Sequence, residues 1–237
     1  MAYEETTTDA VAARRELDAV IFDLGGVMTE PLFRHHSDVP PEYFGLVAFF
    51  LNEFRDHYHL PTGAHDLHLL EIGTIGDDEF FDRMCVRYAD SGNEPVDPRV
   101  AQQVIFGRGM VACAAMADAV RQVHDAGYRT ALLTNISREG EAIWRSLFPV
   151  DELFDIVIDS SKVGLRKPDP EIYHLTCKRL GVSPERCLFI DDLLCNVEAA
   201  TALGMQTIQC FDPVAGADEV VQRVLGHAAA AEAETGA

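Results

Sequence analysis

The stretch Ala19-Val20-Ile21-Phe22-Asp23, followed by Leu24-Gly25-Gly26, decides the fold. Four apolar residues, mostly β-branched or aromatic, run without interruption into an acid and then a glycine pair. That is the pattern of a strand buried on both faces that ends in a tight turn. Four further runs share it: TALLT (130–134), FDIVI (154–158), CLFID (187–191) and QTIQC (206–210). Between them, Met116, Val120 and Val123 step at helical spacing toward Gly127, and Val197, Ala200 and Leu203 toward Gly204. Continuous apolar strands alternating with helices imply a parallel sheet covered on both faces. The sequence therefore predicts a doubly wound, Rossmann-like α/β domain.

The interval between the first two strands is too long for a simple crossover. It holds YFGLVAFFLNEFRDHY, LHLLEIG and DDEFFDRMCVRYAD, all at helical period. Residues 31–112 are predicted to form an inserted helical cap, with residues 18–30 and 113–226 as the α/β core. Residues 1–17 read as an N-terminal arm, and the low-complexity end, 227–237, as a disordered tail.

The chain has 237 residues, 48% hydrophobic and 24% charged, an ordinary globular balance. Its net charge of −20 repels a polyanionic backbone and an anionic membrane surface alike, so neither nucleic acid nor membrane is expected as a partner. No apolar run is long enough to span a bilayer, and no basic-then-apolar leader opens the chain, so a cytoplasmic location is expected. Cys85, Cys113, Cys177, Cys187, Cys195 and Cys210 form no CxxC pair and no zinc-spaced cluster, and read as reduced core thiols.

In a parallel sheet the ligand site lies beyond the carboxyl ends of the strands. The residues there are Asp23, Thr134 with Asn135, and Asp191 with Asp192, and Lys167 follows the third strand in GLRKPDPEIY. Each alone has a plainer role: an Asp or Thr after a strand often caps the next turn or helix. Together they are harder to dismiss. Ionised carboxylates in a water-poor crevice repel unless a cation joins them, and Mg²⁺ suits a set of carboxylates, a carbonyl and phosphate oxygens. Lys167 and Thr134 would hold the anionic group of a substrate, with Asp23 as in-line nucleophile.

IFDLGGVM, LLTNIS, KPDPEIY and FIDDLLCNVEAATALGMQTI resemble the four motifs of the haloacid dehalogenase (HAD) superfamily, most of whose members are Mg²⁺-dependent phosphatases acting through an aspartyl-phosphate. The cap's position and the segment LLEIGTIGDDEF resemble the group with a helical cap between motifs one and two. That group includes the phosphatase domain of soluble epoxide hydrolase and bacterial sugar-phosphate phosphatases. The resemblance implies Asp23 as nucleophile and metal ligand, and Thr134 and Lys167 as phosphate ligands. It places Asn135 and Gly26 beside the substrate, Asp192 on the metal, and Asp191 on a metal-bound water or Lys167. The backbone carbonyl of Gly25 would also reach the metal, and Asn196 would organise the loop. The partner it implies is a small phosphorylated metabolite, a sugar phosphate or nucleoside monophosphate.

One position departs from the pattern. The family's phosphatases usually carry a second Asp two residues after the nucleophile as acid/base; here that residue is Gly25. Some phosphatases with the DLG form are active, and Glu30, His35, His36 or Asp38 could supply the proton. Two alternatives follow: carbon–halogen hydrolysis without a metal, or a weakly active or non-catalytic protein that binds a phosphorylated ligand. Dehalogenases usually replace the motif-four acids with neutral residues, so Asp191-Asp192 argues against the first. Phosphonate cleavage through a Schiff base would take an amine from the cap, and residues 31–112 contain no Lys. The aromatic stretch Tyr43 to Tyr58 reads as cap core, with a homodimer through the cap as the other use of it.

Overall fold

The computed structural model describes residues 16–31, 39–107 and 109–226. Most of the arm, the tail from 227 on, and Arg34, His35, His36 and Asp38 lie outside the described residues.

Five strands form one parallel sheet: β1 (Ala19–Phe22), β2 (Arg129–Thr134), β3 (Ile156–Asp159), β4 (Cys187–Asp191) and β5 (Gln206–Gln209), in the order β3-β2-β1-β4-β5. Strand β1 is buried at all four positions because its side chains feed two cores. Val20 and Phe22 join the apolar cluster on one face, and Ala19 and Ile21 the cluster on the other. Helices α5 (Ala114–Asp125) and α8 (Pro213–Val221) cover the first face, while α6 (Pro170–Leu180) and α7 (Leu194–Ala202) cover the second.

Among the described residues four α-helices fill the insertion: α1 (Phe44–His57), α2 (Asp66–Glu71), α3 (Asp77–Asp90) and α4 (Pro98–Ile105). Acids in the first turn of α3 and Arg87 in its last turn complement the helix dipole. Its Phe80, Phe81, Met84, Cys85 and Tyr88 point into a third core shared with Leu46 and Phe50 of α1 and Ala101 and Ile105 of α4. The aromatic stretch is spent mainly on this core; of its rings Phe44 is the one left largely exposed, at 51%. The chain enters and leaves the insertion side by side. Thr29 and Ala112 form an antiparallel bridge, flanked by Glu30 N to Val111 O at 2.8 Å and Cys113 N to Met28 O at 2.8 Å.

The third strand is displaced from its expected position at 154–158. Asp155 turns its side chain to the backbone N of Thr130 at 2.8 Å, ending the approach loop, and pairing starts only at Ile156. The fifth strand stops one residue short, at Gln209. Among the described residues no helix is long and apolar enough to cross a membrane.

Candidate active site

The strand order reverses between β1 and β4, and the crevice of such a sheet opens at that switch point. Asp23 follows β1 and donates its backbone N–H to Ile190 O at 2.9 Å, so it stands level with the end of β4. Asp191 closes β4 and Asp192 follows it. Oxygens of Asp23, Asp191 and Asp192 all lie within 4.8 Å of one another. Thr134, buried at the end of β2, completes the row of strand ends.

Lys167 is the cation among these acids. Its Nζ lies 2.6 Å from Asp23 Oδ1 and 2.6 Å from Asp191 Oδ2, with the lysine only 1% exposed. Burial works against the ammonium, but the two carboxylates outweigh it and hold its pKa above the ordinary range. Asp191 is fully engaged: Oδ1 accepts from Leu193 N at 2.9 Å, and Asn196 Nδ2 reaches both oxygens at 3.0 and 3.1 Å. Asp192 has no ion pair among the described residues. Burial and then the neighbouring Asp191 push its pKa up to about 7. Burial likewise raises Asp23, against the pull of Lys167.

The glycine pair differs in what each member does. Gly26 has φ +71°, and a Cβ there would lie 2.5 Å from Asp192 Oδ2. The Asp192 carboxylate thus occupies the space that a side chain at position 26 would fill. Gly25 has φ −70° and ψ 127°, which any residue adopts, and a Cβ there would meet nothing within 4 Å. Neither backbone strain nor crowding requires glycine at 25.

Asn135 is held through its side chain. Its Oδ1 accepts from Lys167 N at 2.9 Å, and its Nδ2 donates to Lys167 O at 2.9 Å. The side chain therefore fixes the backbone that carries Lys167. Asn196, fully buried, does the same for Asp191. Of the substitute proton donors, Glu30 sits at the stem of the insertion, and the other three lie outside the described residues.

Three residues beyond these reach the site from farther away. Arg166, fully buried, pairs through Nε with Glu71 Oε2 at 2.6 Å and donates from Nη1 to Tyr58 O at 3.1 Å. Tyr58 OH accepts from Asn135 Nδ2 at 2.8 Å and from Asn196 Nδ2 at 3.3 Å. The signals were an acid in the apolar run of LLEIG and an arginine next to Lys167.

A family model described as haloacid dehalogenase-like hydrolase matches residues 17–204, well over half of the chain. The chain belongs to that family. This HAD-like hydrolase is 36% identical over 106 residues to mouse acyl-CoA dehydrogenase family member 10, a match that covers 44% of this chain but 10% of the mouse protein. It is 27% identical over 195 residues to the phosphorylated carbohydrates phosphatase of Thermotoga maritima, covering 81% of this chain and 84% of that one. Its fold resembles the crystal structure of a HAD family enzyme from Bacteroides thetaiotaomicron, at TM-score 0.55 and 21% identity over 81% of this chain and 93% of that one.

Proposed function

We propose that this HAD-like hydrolase is a Mg²⁺-dependent phosphatase that cleaves a small phosphate monoester through an aspartyl-phosphate on Asp23. The observation that carries this reading is three carboxylates converging on one ammonium. Lys167 matches Asp23 and Asp191, and the third acid, Asp192, is left facing them. A hard divalent cation fits that donor set: the Lys167 contacts leave a second oxygen on Asp23, and among the described residues no cation pairs with Asp192. Those two residues, with the carbonyl of Gly25, would hold Mg²⁺, while Asp191 serves Lys167. When bound, the ion neutralises the acids and draws charge from phosphoryl oxygens.

The chain's own residues account for the rest. Asp23 is aimed by β1 and by Lys167, which fixes Oδ1 for attack on phosphorus and leaves Oδ2 to the ion. The displaced ester oxygen takes a proton as it leaves, and water then opens the acyl phosphate to return Asp23. Lys167 and the Thr134 hydroxyl stabilise the charge on the transferring group. Gly25 supplies no acid/base, so the leaving oxygen takes its proton from water or from a residue near the stem. The likeness to a phosphatase of phosphorylated carbohydrates supports a sugar phosphate as substrate.

Phosphate release from a panel of monoesters, with Mg²⁺ and with EDTA, tests the proposal. Release with Mg²⁺ that vanishes in EDTA supports it. Halide release from 2-chloropropionate in EDTA, with no phosphate release from any ester, would replace it with carbon–halogen hydrolysis.

A further inference from the structure

The insertion is joined to the sheet by buried polar contacts that converge on one hydroxyl. Tyr58 follows α1 and is 5% exposed. Arg166 lies over its ring with 4.5 Å between the guanidinium carbon and the ring centroid, and donates to its carbonyl at 3.1 Å. Glu71, at the end of α2, neutralises that arginine at 2.6 Å. The ester-facing machinery is held by two amides, Asn135 on the Lys167 backbone and Asn196 on the Asp191 carboxylate. Both amides also donate to the Tyr58 hydroxyl, at 2.8 and 3.3 Å.

We infer that Tyr58 is a positioning residue: its hydroxyl, seated by the buried Arg166–Glu71 pair, locks the Asn135 and Asn196 braces and so sets Lys167 and Asp191 against Asp23. The hydroxyl touches neither Lys167 nor Asp191 and acts through the two amides. The hydroxyl is the nearest acceptor of Asn135 Nδ2; without it, that amide keeps only the 2.9 Å bond to Lys167 O and a longer 3.3 Å contact to Glu71 Oε2, and the group it braces is held less firmly. The arrangement makes the active site complete only when the insertion is docked. As a statement about turnover the inference rests on the phosphatase reading.

Tyr58→Phe tests it with the least disturbance, because the ring stays on Arg166 and only one oxygen is lost. Removing Glu71 instead would leave a buried guanidinium without its counter-charge and threaten the fold. With p-nitrophenyl phosphate and saturating Mg²⁺, Tyr58→Phe is expected to lower kcat about fivefold to tenfold, the effect of one ordinary hydrogen bond, with KM unchanged. Mg²⁺ affinity is measured alongside by calorimetry, without substrate. A fall of about threefold, below the about 10–100-fold expected for a group bonded directly to a ligand, shows that the brace reaches the metal-binding acids through Lys167 and Asp191. Unchanged affinity with lowered kcat confines its effect to the placement of Lys167 on the substrate. A wild-type kcat in the variant overturns the inference, and so does a raised KM with unchanged kcat, which would make Tyr58 a substrate contact. If the wild-type protein hydrolyses no ester, the phosphatase reading fails by itself. The brace then stands if Tyr58→Phe weakens Mg²⁺ binding, and falls if affinity is unchanged or the wild type binds no Mg²⁺.

Discussion

Lys167 Nζ stands 2.6 Å from Asp23 Oδ1, and the same nitrogen is 2.6 Å from Asp191 Oδ2. The proposed nucleophile and the first acid after β4 therefore share one buried cation. Lys167→Met leaves two buried carboxylates facing each other without it. Breaking a buried pair costs about 3–5 kcal/mol, so denaturant unfolding in EDTA should show a loss of that order. Turnover should fall about 10²–10³-fold, as for the loss of one oriented donor to the transferring group. An unfolding free energy equal to wild type would show that the lysine is not the counter-ion.

Asp192 gives the pH dependence its sign. Its pKa of about 7 lies above the ordinary 3.8, so between those values the folded protein holds a proton that the unfolded chain releases. Without metal, this residue favours the fold most at low pH, and its contribution declines as pH rises from about 4 to 7. Asp192→Asn should lack that slope in EDTA. Mg²⁺ reverses it in the wild type, because the ion needs the ionised carboxylate, so stabilisation by Mg²⁺ should grow over the same window. Thermal unfolding of both proteins against pH, with EDTA and with Mg²⁺, checks this; parallel profiles would contradict it.

The two adjacent glycines should respond oppositely to substitution. Gly25→Asp meets open space and an ordinary backbone conformation, so the fold should be kept. It would place an acid/base two residues after Asp23, and kcat should rise at least about tenfold, toward the about 10²–10⁴-fold typical of such a group. Gly26→Ala places a methyl against Asp192 and forces a left-handed backbone, costing about 1–2 kcal/mol. Mg²⁺ affinity measured by calorimetry should fall with it. Equal behaviour of the two variants would contradict the different roles assigned to them.

Much of this was legible in the chain. Strands such as Ala19–Phe22 and Cys187–Asp191 are buried on both faces, so their apolar runs stand out and their last residues mark the crevice. That is why Asp23, Thr134, Asp191 and Asp192 could be placed from sequence. The start of β3 was not legible, because Phe154 is apolar and buried yet lies outside the ladder, its neighbour Asp155 being tied to Thr130. Nor was the Tyr58–Glu71–Arg166 group. Its contacts join residues 95 and 108 positions apart, a proximity created by docking the insertion on the sheet rather than by any local period.

Transfer of a phosphoryl group to Asp23 is tested most directly by acid-quenching the Mg²⁺-loaded enzyme during turnover of a radiolabelled phosphate ester and mapping the labelled residue. The expected result is label on Asp23 as an acyl phosphate released by hydroxylamine, absent in EDTA and in Asp23→Asn. Phosphate release at the wild-type rate by Asp23→Asn, or label on another residue, would contradict the account.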